Sequence, residues 1–296
     1  MRNISIIWDF DGTLIPDDST TKTVEVVQRD VGSEQPFWDM VHAIHGQNKP
    51  AEWEHILAMD APTWMYALSR IAEEQSIPLN AEFFKEFVVP NLNLYDGVID
   101  FLNNIKSIEN QNDFKKLDLK IHHFIVSAGL RDLIKQVFPE GLITWTFGCC
   151  YTVVVEGADA RPRSVPVYCV DETYKTRSLF EIAKGVFASP HVSVNKRMEA
   201  QSLWSPFSNM IYIGDGPTDV PSLSLVRDKG GIGIAVYDPK MDEKRKKKRF
   251  EDMRLDKRTD LITAADFSLG SELHQYIVNR CNQIRQRYEA SVITDS

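Results

Sequence analysis

Short apolar runs separated by longer mixed segments give this chain the pattern of an α/β protein. The runs cover residues 4–8, 120–126, 209–213 and 230–236. Each has the length of a strand that is buried on both faces, and glycine or polar residues border it. The segments between the runs include stretches that repeat apolar residues every three or four positions, which is typical of amphipathic helices. The pattern therefore predicts a mostly parallel sheet covered by helices.

The longest stretch of helical periodicity covers residues 20–89. We predict four or five short helices there, with their apolar residues in a small shared core. Pro90 and the polar run 91–97 end this stretch, and a further helix is predicted over 98–105.

Later segments predict further strands and a closing helix. Residues 142–174 are rich in β-forming residues, and turn residues separate the apolar parts. The strands expected there are 143–147, 151–155 and 165–170. A short edge strand is predicted over 264–267, and a helix capped by Ser271 over 271–288.

Two aspartates follow the first apolar run. Asp9 comes directly after it, Asp11 lies two residues further on, and Gly12 allows the backbone to turn. Since α/β folds bind ligands at the carboxyl ends of their strands, both carboxylates can face one pocket. One acid could attack a substrate while the other moves a proton. Taken alone, such a pair also occurs in ordinary hairpins and calcium loops.

Three later segments carry further candidates for phosphate chemistry. The second run leads to Ser127, close before a glycine, as a strand feeding a phosphate-binding turn does. The third run opens into an acidic loop with Asp215 and Asp219, which indicates a metal site. Between them, Lys175 begins a helical pattern. A cation at a helix start opposes the helix dipole, so its position there suggests a role.

In this order, the four segments resemble the haloacid dehalogenase superfamily of hydrolases, and most closely its phosphoserine-phosphatase-like branch. The matching motifs are Asp9-Phe10-Asp11-Gly12-Thr13, the strand ending in Ser127, Lys175 ahead of its helix, and Gly214-Asp215-Gly216-Pro217-Thr218-Asp219. The resemblance covers nearly the whole chain. It implies a doubly wound, mostly parallel sheet with a Rossmann-like core of residues 1–16 and 95–296, and an inserted helical cap domain of residues 17–94.

The resemblance also implies a role for each motif residue. Asp9 would be the nucleophile and Asp11 the general acid and base. Ser127 and Lys175 would hold the transferring phosphoryl group, and Asp215 would bind magnesium. The expected metal-binding set is Asp9, Asp11, Asp215 and Asp219, with Asp219 a loop or outer neighbour of the ion. The expected substrate contacts are Gly12, Thr13, Ala128, Gly129 and Asp18.

Charge argues independently for a metal in such a pocket. Asp9, Asp11, Asp215 and a phosphate would repel one another by about 4 kcal/mol per unit-charge pair at ~4 Å and an effective dielectric of ~20. A divalent cation and Lys175 would offset this repulsion, and the oxygen-only ligand set favours magnesium over zinc or copper. The presence of Asp11 favours phosphoryl transfer over dehalogenation, because a halide leaving group needs no proton.

Composition and charge fit an enzyme with a small anionic substrate. The 296 residues are 43% hydrophobic and carry a formal charge of −8. This length suffices for one large domain and a smaller one, and the acidic balance argues against a nucleic-acid surface.

The chain also has the sequence features that we expect of a cytoplasmic protein. No stretch reaches the length of a membrane span, and Asp9 comes too early for a signal-peptide core. Four cysteines without CxxC or zinc spacing favour free thiols in a reducing compartment. We expect a small phosphorylated metabolite as the partner, and neither nucleic acid nor membrane.

Together these features predict a magnesium-dependent phosphatase that forms an aspartyl-phosphate on Asp9. The physiological phosphomonoester stays open, because the branch carries a substrate-binding glutamate where this chain has Asp18, and because segment 185–209 is longer than the branch needs. A phosphotransferase or mutase with the same intermediate and a catalytically silent binding protein are the alternatives. The basic run 244–249 is flanked by acids and predicts a solvated helix or loop.

Overall fold

The computed structural model describes residues 2–28, 37–47, 60–155, 161–189, 191–255 and 258–294. The strands in these ranges are β1 Arg2–Trp8, β2 Leu119–Leu130, β3 Ile143–Val154, β4 Arg163–Tyr168, β5 Met210–Gly214, β6 Ile232–Tyr237 and β7 Leu261–Ala264. The helices are α1 Ser19–Val27, α2 Phe37–Gln47, α3 Asp60–Glu74, α4 Ala81–Phe83, α5 Val98–Ser107, α6 Asn112–Lys116, α7 Arg131–Val137, α8 Glu172–Lys184, α9 Val220–Asp228, α10 Glu243–Leu255 and α11 Glu272–Thr294. Helix α4 continues as a π-helix over Phe84–Val88 and a 3-10 turn over Val89–Asn91.

The strands form one sheet in the order β4-β3-β2-β1-β5-β6-β7. Neighbouring strands are parallel except β3 and β4, which are antiparallel. Strand β1 lies in the middle, where Trp8 pairs with Ile125 of β2 and with Ile213 of β5. In such sheets a crevice opens at the carboxyl edge beside the central strand. The predicted mostly parallel α/β fold is confirmed.

The central strand β1 is buried on both faces, which explains its continuous apolar sequence. Ile6 and Trp8 pack with α5 and α11 on one face of the sheet. Ile7 points the other way and packs with Leu179 of α8 and Val226 of α9. Side chains alternate between faces with a period of two, so one short strand contributes to both layers of the core.

A third apolar cluster joins the helices that precede residue 95 to the sheet. Trp64 and Leu68 of α3 pack there with Leu133 of α7 and Tyr151 of β3, and the Tyr151 hydroxyl donates to the Met65 carbonyl at 2.7 Å. The predicted helical character of this stretch is confirmed for α1 to α4. The helix expected around Trp53 lies outside the described residues, and the domain boundaries at 16 and 95 stay a prediction.

Some predicted strand positions differ from the structure. The strand expected to end in Ser127 continues to Leu130 as β2, and the strand expected over 165–170 is β4, Arg163–Tyr168. The strands expected over 143–147 and 151–155 form one continuous strand, β3. Gly148 lies inside this strand and does not break it. The glycine instead allows the start of α7 to approach closely, since a Cβ there would lie 2.9 Å from the Arg131 amide nitrogen. The edge strand expected over 264–267 is β7, which ends at Ala264. Asp266 then accepts a hydrogen bond from the Ser268 amide, which forms a turn.

The predicted helices over 98–105 and 271–288 are confirmed as α5 and α11, and the Ser271 hydroxyl caps α11 by accepting from the His274 amide. Among the described helices, none combines the length and the apolar character that crossing a bilayer requires.

Replacing Phe101 with alanine should lower the free energy of unfolding by about 3–5 kcal/mol, the usual cost of deleting a buried aromatic ring. Phe101 is fully buried and contacts both Trp8 and Phe267 edge to face. Phe87→Ala is the matched control, since its side chain is 48% exposed. Chemical denaturation measures both, and equal losses would contradict this account of the core.

Candidate active site

The carboxyl edge of the sheet brings three separate chain segments together. Because Trp8, Ile125 and Ile213 are paired in register, the residues that follow them emerge at one level. These include Asp9 after β1, Ser127 near the end of β2 and Asp215 after β5. The Asp9 amide donates to the Ile213 carbonyl at 2.8 Å, which extends the pairing by one step and fixes the backbone of Asp9.

Three aspartates converge at this edge. Asp9, Asp215 and Asp219 each offer a carboxylate oxygen within 4.8 Å of the others. Lys175 of α8 lies among them, with its Nζ 3.0 Å from Asp9 Oδ1 and 2.8 Å from Asp219 Oδ1. Both ion pairs are almost completely buried. Two short contacts therefore place Lys175 beside the acidic loop, and the phosphoryl contact predicted for it stays a prediction.

Helix α8 begins so that Lys175 reaches the acids. Asp171 caps the helix by accepting from the Tyr174 amide at 2.6 Å, and Lys175 follows one residue later in the first turn. A lysine here opposes the helix dipole. The two carboxylates outweigh this, and although burial alone would lower the pKa of Lys175, Asp219 and Asp9 raise it above its ordinary value.

Asp219 is fixed by donors on both carboxylate oxygens. Its Oδ1 accepts from Lys175 and from the Tyr212 hydroxyl at 2.7 Å, and its Oδ2 accepts from the Gly216 amide at 3.3 Å. The side chain is fully buried. This arrangement suits an acid that holds Lys175 in place.

Gly12 has to be glycine. Its φ is +72°, which is strained for other residues, and a Cβ at this position would lie 2.3 Å from Asp215 Oδ2. The loop after β1 therefore approaches the Asp215 carboxylate more closely than any side chain would allow.

Burial and mutual repulsion raise the pKa values of the clustered acids. The pKa of Asp9 is raised well above its ordinary value by burial and by Asp219, with Lys175 opposing. Burial raises the pKa of Asp215 to about 6, with Arg249 opposing and Asp219 adding to the shift. A site that strains carboxylates in this way favours the approach of a cation.

Asp11 lies apart from the three clustered acids. Its Oδ1 accepts from the Ser19 amide at 2.7 Å, at the start of α1. Burial raises the pKa of Asp11 to about 7, with Asp18 adding to the shift and the Ser19 amide opposing it. The metal-binding role expected for Asp11 stays a prediction, because no described contact brings its carboxylate into the cluster.

The last residues of β2, where its pairing with β3 is irregular between Val126 and Leu130, offer polar groups toward the same site. The fully buried Ser127 accepts from the Gly129 amide through its Oγ at 2.9 Å. This leaves the hydroxyl hydrogen available for a ligand, since a hydroxyl donates one hydrogen bond and accepts two. A Cβ on Gly129 would lie 2.9 Å from both Asp11 Oδ2 and Ser19 Oγ, so this glycine keeps the helical segment close to the sheet.

Asp18 has a structural role. Its Oδ1 accepts from the Thr21 amide at 2.6 Å and thereby caps α1. The cap uses only one carboxylate oxygen, and the substrate contact predicted for Asp18 stays a prediction. Thr13 is fully buried, and its Oγ1 has no hydrogen-bond partner among the described residues.

An open cavity of about 400 Å³ lies over these groups. Its walls include most of the predicted site residues, and the other wall residues are Pro16, Asp17 and Thr218. The predicted residues in its lining are Asp9, Asp11, Gly12, Asp18, Ser127, Ala128, Lys175 and Asp215. Thr13, Gly129 and Asp219 lie behind this surface.

Comparison with known proteins bears on the fold. No protein-family model matches the chain. An uncharacterized protein of Borreliella burgdorferi is 25% identical over 292 residues, which cover 94% of this chain and 96% of that protein. The unliganded structure of a probable phosphoserine phosphatase from Vibrio cholerae covers 97% of this chain and 67% of its own, with a TM-score of 0.52 and 11% identity. A phosphoserine phosphatase in apo form covers 90% and 96%, with a TM-score of 0.49 and 14% identity.

The chain has the haloacid dehalogenase-like fold of the phosphoserine-phosphatase type.

The sequence-based resemblance is thereby confirmed at the level of the fold. Sequence identities this low carry no residue roles, so the chemistry of the site rests on its geometry.

The acids of this site fit a magnesium ion. Magnesium prefers oxygen ligands, and it is often held by one or two carboxylates with waters and phosphate oxygens. Asp9 and Asp215 supply such carboxylates, Asp219 lies within reach, and the glycine cradle at Gly12 brings the two loops together.

Two neighbours of the acids were not predicted from the sequence. Tyr212 lies in β5, where its fully buried hydroxyl donates to Asp219. Arg249 lies in α10, and its Nη2 is 2.6 Å from Asp215 Oδ2. The expectation that the basic run 244–249 is a solvated helix is wrong for Arg249, because this face of the helix turns toward the site. A tyrosine in an otherwise aliphatic strand was the one available signal for Tyr212.

Replacing Asp18 with asparagine should lower the pKa of Asp11 below about 7. The Asp18 carboxylate repels the ionised form of Asp11, and asparagine removes this charge while it still caps α1. Carbon-13 NMR titration of the Asp11 carboxyl carbon measures the change, with Asp17→Asn as the neighbouring control. An unchanged Asp11 pKa in the Asp18 variant would contradict the assigned cause.

Proposed function

We propose that this chain is a magnesium-dependent phosphatase that hydrolyses small phosphomonoesters through an aspartyl-phosphate on Asp9. The haloacid dehalogenase-like fold supports a hydrolase. One observation carries the rest of the proposal: two acids of the same cavity lie in different environments. Asp9 is tied to Lys175, whereas Asp11 lies outside the acid cluster with a pKa of about 7.

Asp9 is the nucleophile in the first half of the reaction. Its carboxylate attacks phosphorus, and the bond between phosphorus and the alcohol oxygen breaks. Lys175 opposes the rise in the pKa of Asp9 that burial and Asp219 cause, so it favours the anionic form of the nucleophile. A magnesium ion held by Asp9 and Asp215 would reduce the repulsion between these carboxylates and the phosphoryl oxygens.

Asp11 donates the proton that the leaving alkoxide requires. A group with a pKa of about 7 is partly protonated at neutral pH, so it can act as an acid and then as a base. After the alcohol leaves, the Asp11 carboxylate takes a proton from water. That water attacks the phosphorus of the aspartyl-phosphate, inorganic phosphate is released, and Asp9 is restored as a carboxylate.

Ser127 and the residues after it bind the phosphoryl oxygens. The Ser127 hydroxyl has a hydrogen available for donation, as its Oγ already accepts from Gly129. It lies on the cavity wall with Ala128 and Lys175. These donors provide the preorganised positive potential on which phosphoryl transfer depends.

The helices of residues 17–94 are proposed to act as a cap over this cavity. Asp17 and Asp18, at the start of this segment, already line it. Closure of such a cap would exclude bulk water during the first half-reaction. The substrate we propose is a small phosphorylated metabolite in the cytoplasm, where the four free cysteines would stay reduced.

Purified protein should hydrolyse p-nitrophenyl phosphate when magnesium is present and should stop when a chelator is added in excess. The acid cluster repels a phosphate dianion unless a cation is bound. The Asp9→Asn variant should fall to the uncatalysed rate, because an amide is not a nucleophile. Release of inorganic phosphate measures both effects.

Asp228→Asn, an exposed substitution at the end of α9, is the matched control and should keep full activity. The same assay with an acceptor alcohol separates hydrolysis from transfer: phosphate appearing on the alcohol would identify a phosphotransferase. Undiminished turnover of Asp9→Asn would show that Asp9 is not the nucleophile. Undiminished turnover in excess chelator would show that the reaction does not need a metal.

Asp11→Asn should lose about a hundred- to ten-thousand-fold in the rate of the first half-reaction with alkyl phosphates, the usual value of general acid catalysis. The loss should be much smaller with a nitrophenyl ester, whose leaving group needs no proton. Single-turnover kinetics isolate this step. Equal losses with both esters would argue against Asp11 as the acid.

A further inference from the structure

Arg249 gives Asp215 a cation of its own. Its guanidinium Nη2 donates to Asp215 Oδ2 at 2.6 Å, a length typical of a strong charge-assisted hydrogen bond. The Asp215 side chain is 16% exposed and the Arg249 side chain 34%. The contact therefore lies at the edge of the acid cluster, between the buried carboxylates and solvent.

The packing of α10 holds Arg249 in this position. Phe250, the next residue, is buried in a small cluster with Ala235 of β6. One turn earlier, Lys246 donates to the Tyr237 hydroxyl at 2.8 Å and lies over the Tyr237 ring. The guanidinium also packs on Gly216, where a Cβ would approach Nη2 to 3.0 Å. Arg249 is thus aimed at the site by the helix that carries it.

The contacts divide the cations among the three clustered acids. Lys175 contacts Asp9 and Asp219, and Arg249 contacts Asp215. Every clustered carboxylate therefore has a positive partner without any metal. The Arg249 Nε is buried and has no hydrogen-bond partner among the described residues, so this guanidinium is less completely bound than the Lys175 ammonium.

The Asp215 oxygen that Arg249 contacts also faces the loop after β1. A Cβ on Gly12 would lie 2.3 Å from Asp215 Oδ2 but 3.3 Å from Oδ1, so Oδ2 is the oxygen nearer the loop that carries Asp9. A divalent ion that bound Asp215 on this side would share the carboxylate with the guanidinium and would be repelled by its charge.

We propose that Arg249 supplies the positive charge of the candidate metal site in the metal-free protein. Its guanidinium holds Asp215, and it must release this carboxylate when a divalent ion binds. This rests on the magnesium site of the proposed function. Arg249 acts as a positioning residue here: it keeps the acids together without metal, and it sets the concentration of metal at which the site fills.

Magnesium binding to the metal-free protein tests this directly by isothermal titration calorimetry. Arg249→Gln should lower the Kd for magnesium by about tenfold, because binding no longer has to displace a cation at contact distance. Arg249→Lys should fall between this variant and the wild type. Lys248→Gln removes an exposed charge from the adjacent position of α10 and should change the Kd by less than about twofold.

Thermal unfolding gives a second readout that does not depend on catalysis. Metal-free Arg249→Gln should have a lower Tm than metal-free wild type, because Asp215 loses its partner. Saturating magnesium should raise the Tm of the variant more than that of the wild type, as tighter binding stabilises the folded state further. A metal-free Arg249→Gln as stable as wild type would contradict the holding role.

Asp215→Asn separates failure of this inference from failure of the proposed metal site. If wild type binds magnesium, Asp215→Asn does not, and Arg249→Gln binds with unchanged or weaker affinity, then Arg249 does not compete with the metal and the inference is wrong. If wild type does not bind magnesium, or Asp215→Asn binds as wild type does, the metal site itself is wrong and the inference falls with it.

Discussion

The buried ammonium group of Lys175 is the interaction on which the candidate site depends. Two carboxylates, Asp9 and Asp219, lie within 3.0 Å of it in a region almost free of solvent. Buried charges are costly unless they are paired and hydrogen bonded. Removing the lysine would leave uncompensated negative charge at the carboxyl edge of the sheet. The ion pairs of Lys175 therefore tie α8 to Asp9 and Asp219.

The surrounding structure serves to keep that arrangement in place. Register pairing of β1 with β2 and β5 sets the level at which Asp9 and Asp215 emerge, and the Tyr212 hydroxyl fixes Asp219 from below. Gly12 removes the side chain that would separate the loops. Each device uses backbone geometry or a buried donor. The resulting positions are held before any ligand arrives, as electrostatic catalysis requires.

Asp11 shows how two acids from one short motif acquire different properties. Asp9 lies at the end of a strand, between Lys175 and the other carboxylates. Asp11 is turned toward the start of α1, where it accepts from the Ser19 amide. The helical segment thus contributes directly to the environment of the acid that we propose moves the proton. A movement of α1 would alter that environment, so the proposed cap segment would be coupled to the proposed chemistry.

The sequence by itself determined the local features: the buried strands, the order of the motifs, and the placement of Asp9 and Asp215 directly after strands. These follow from apolar run length and from glycine-rich turns, which act over a few residues. Tertiary structure alone decided that Arg249 meets Asp215 across 34 positions, and that Asp18 is used as a helix cap. Tertiary structure also decided that residues 143–154 form one continuous strand, β3. The physical reason is the same in each case: which partner a polar side chain meets depends on how whole elements pack, and the packing of α10 through Phe250 has no signature in the basic run that contains Arg249.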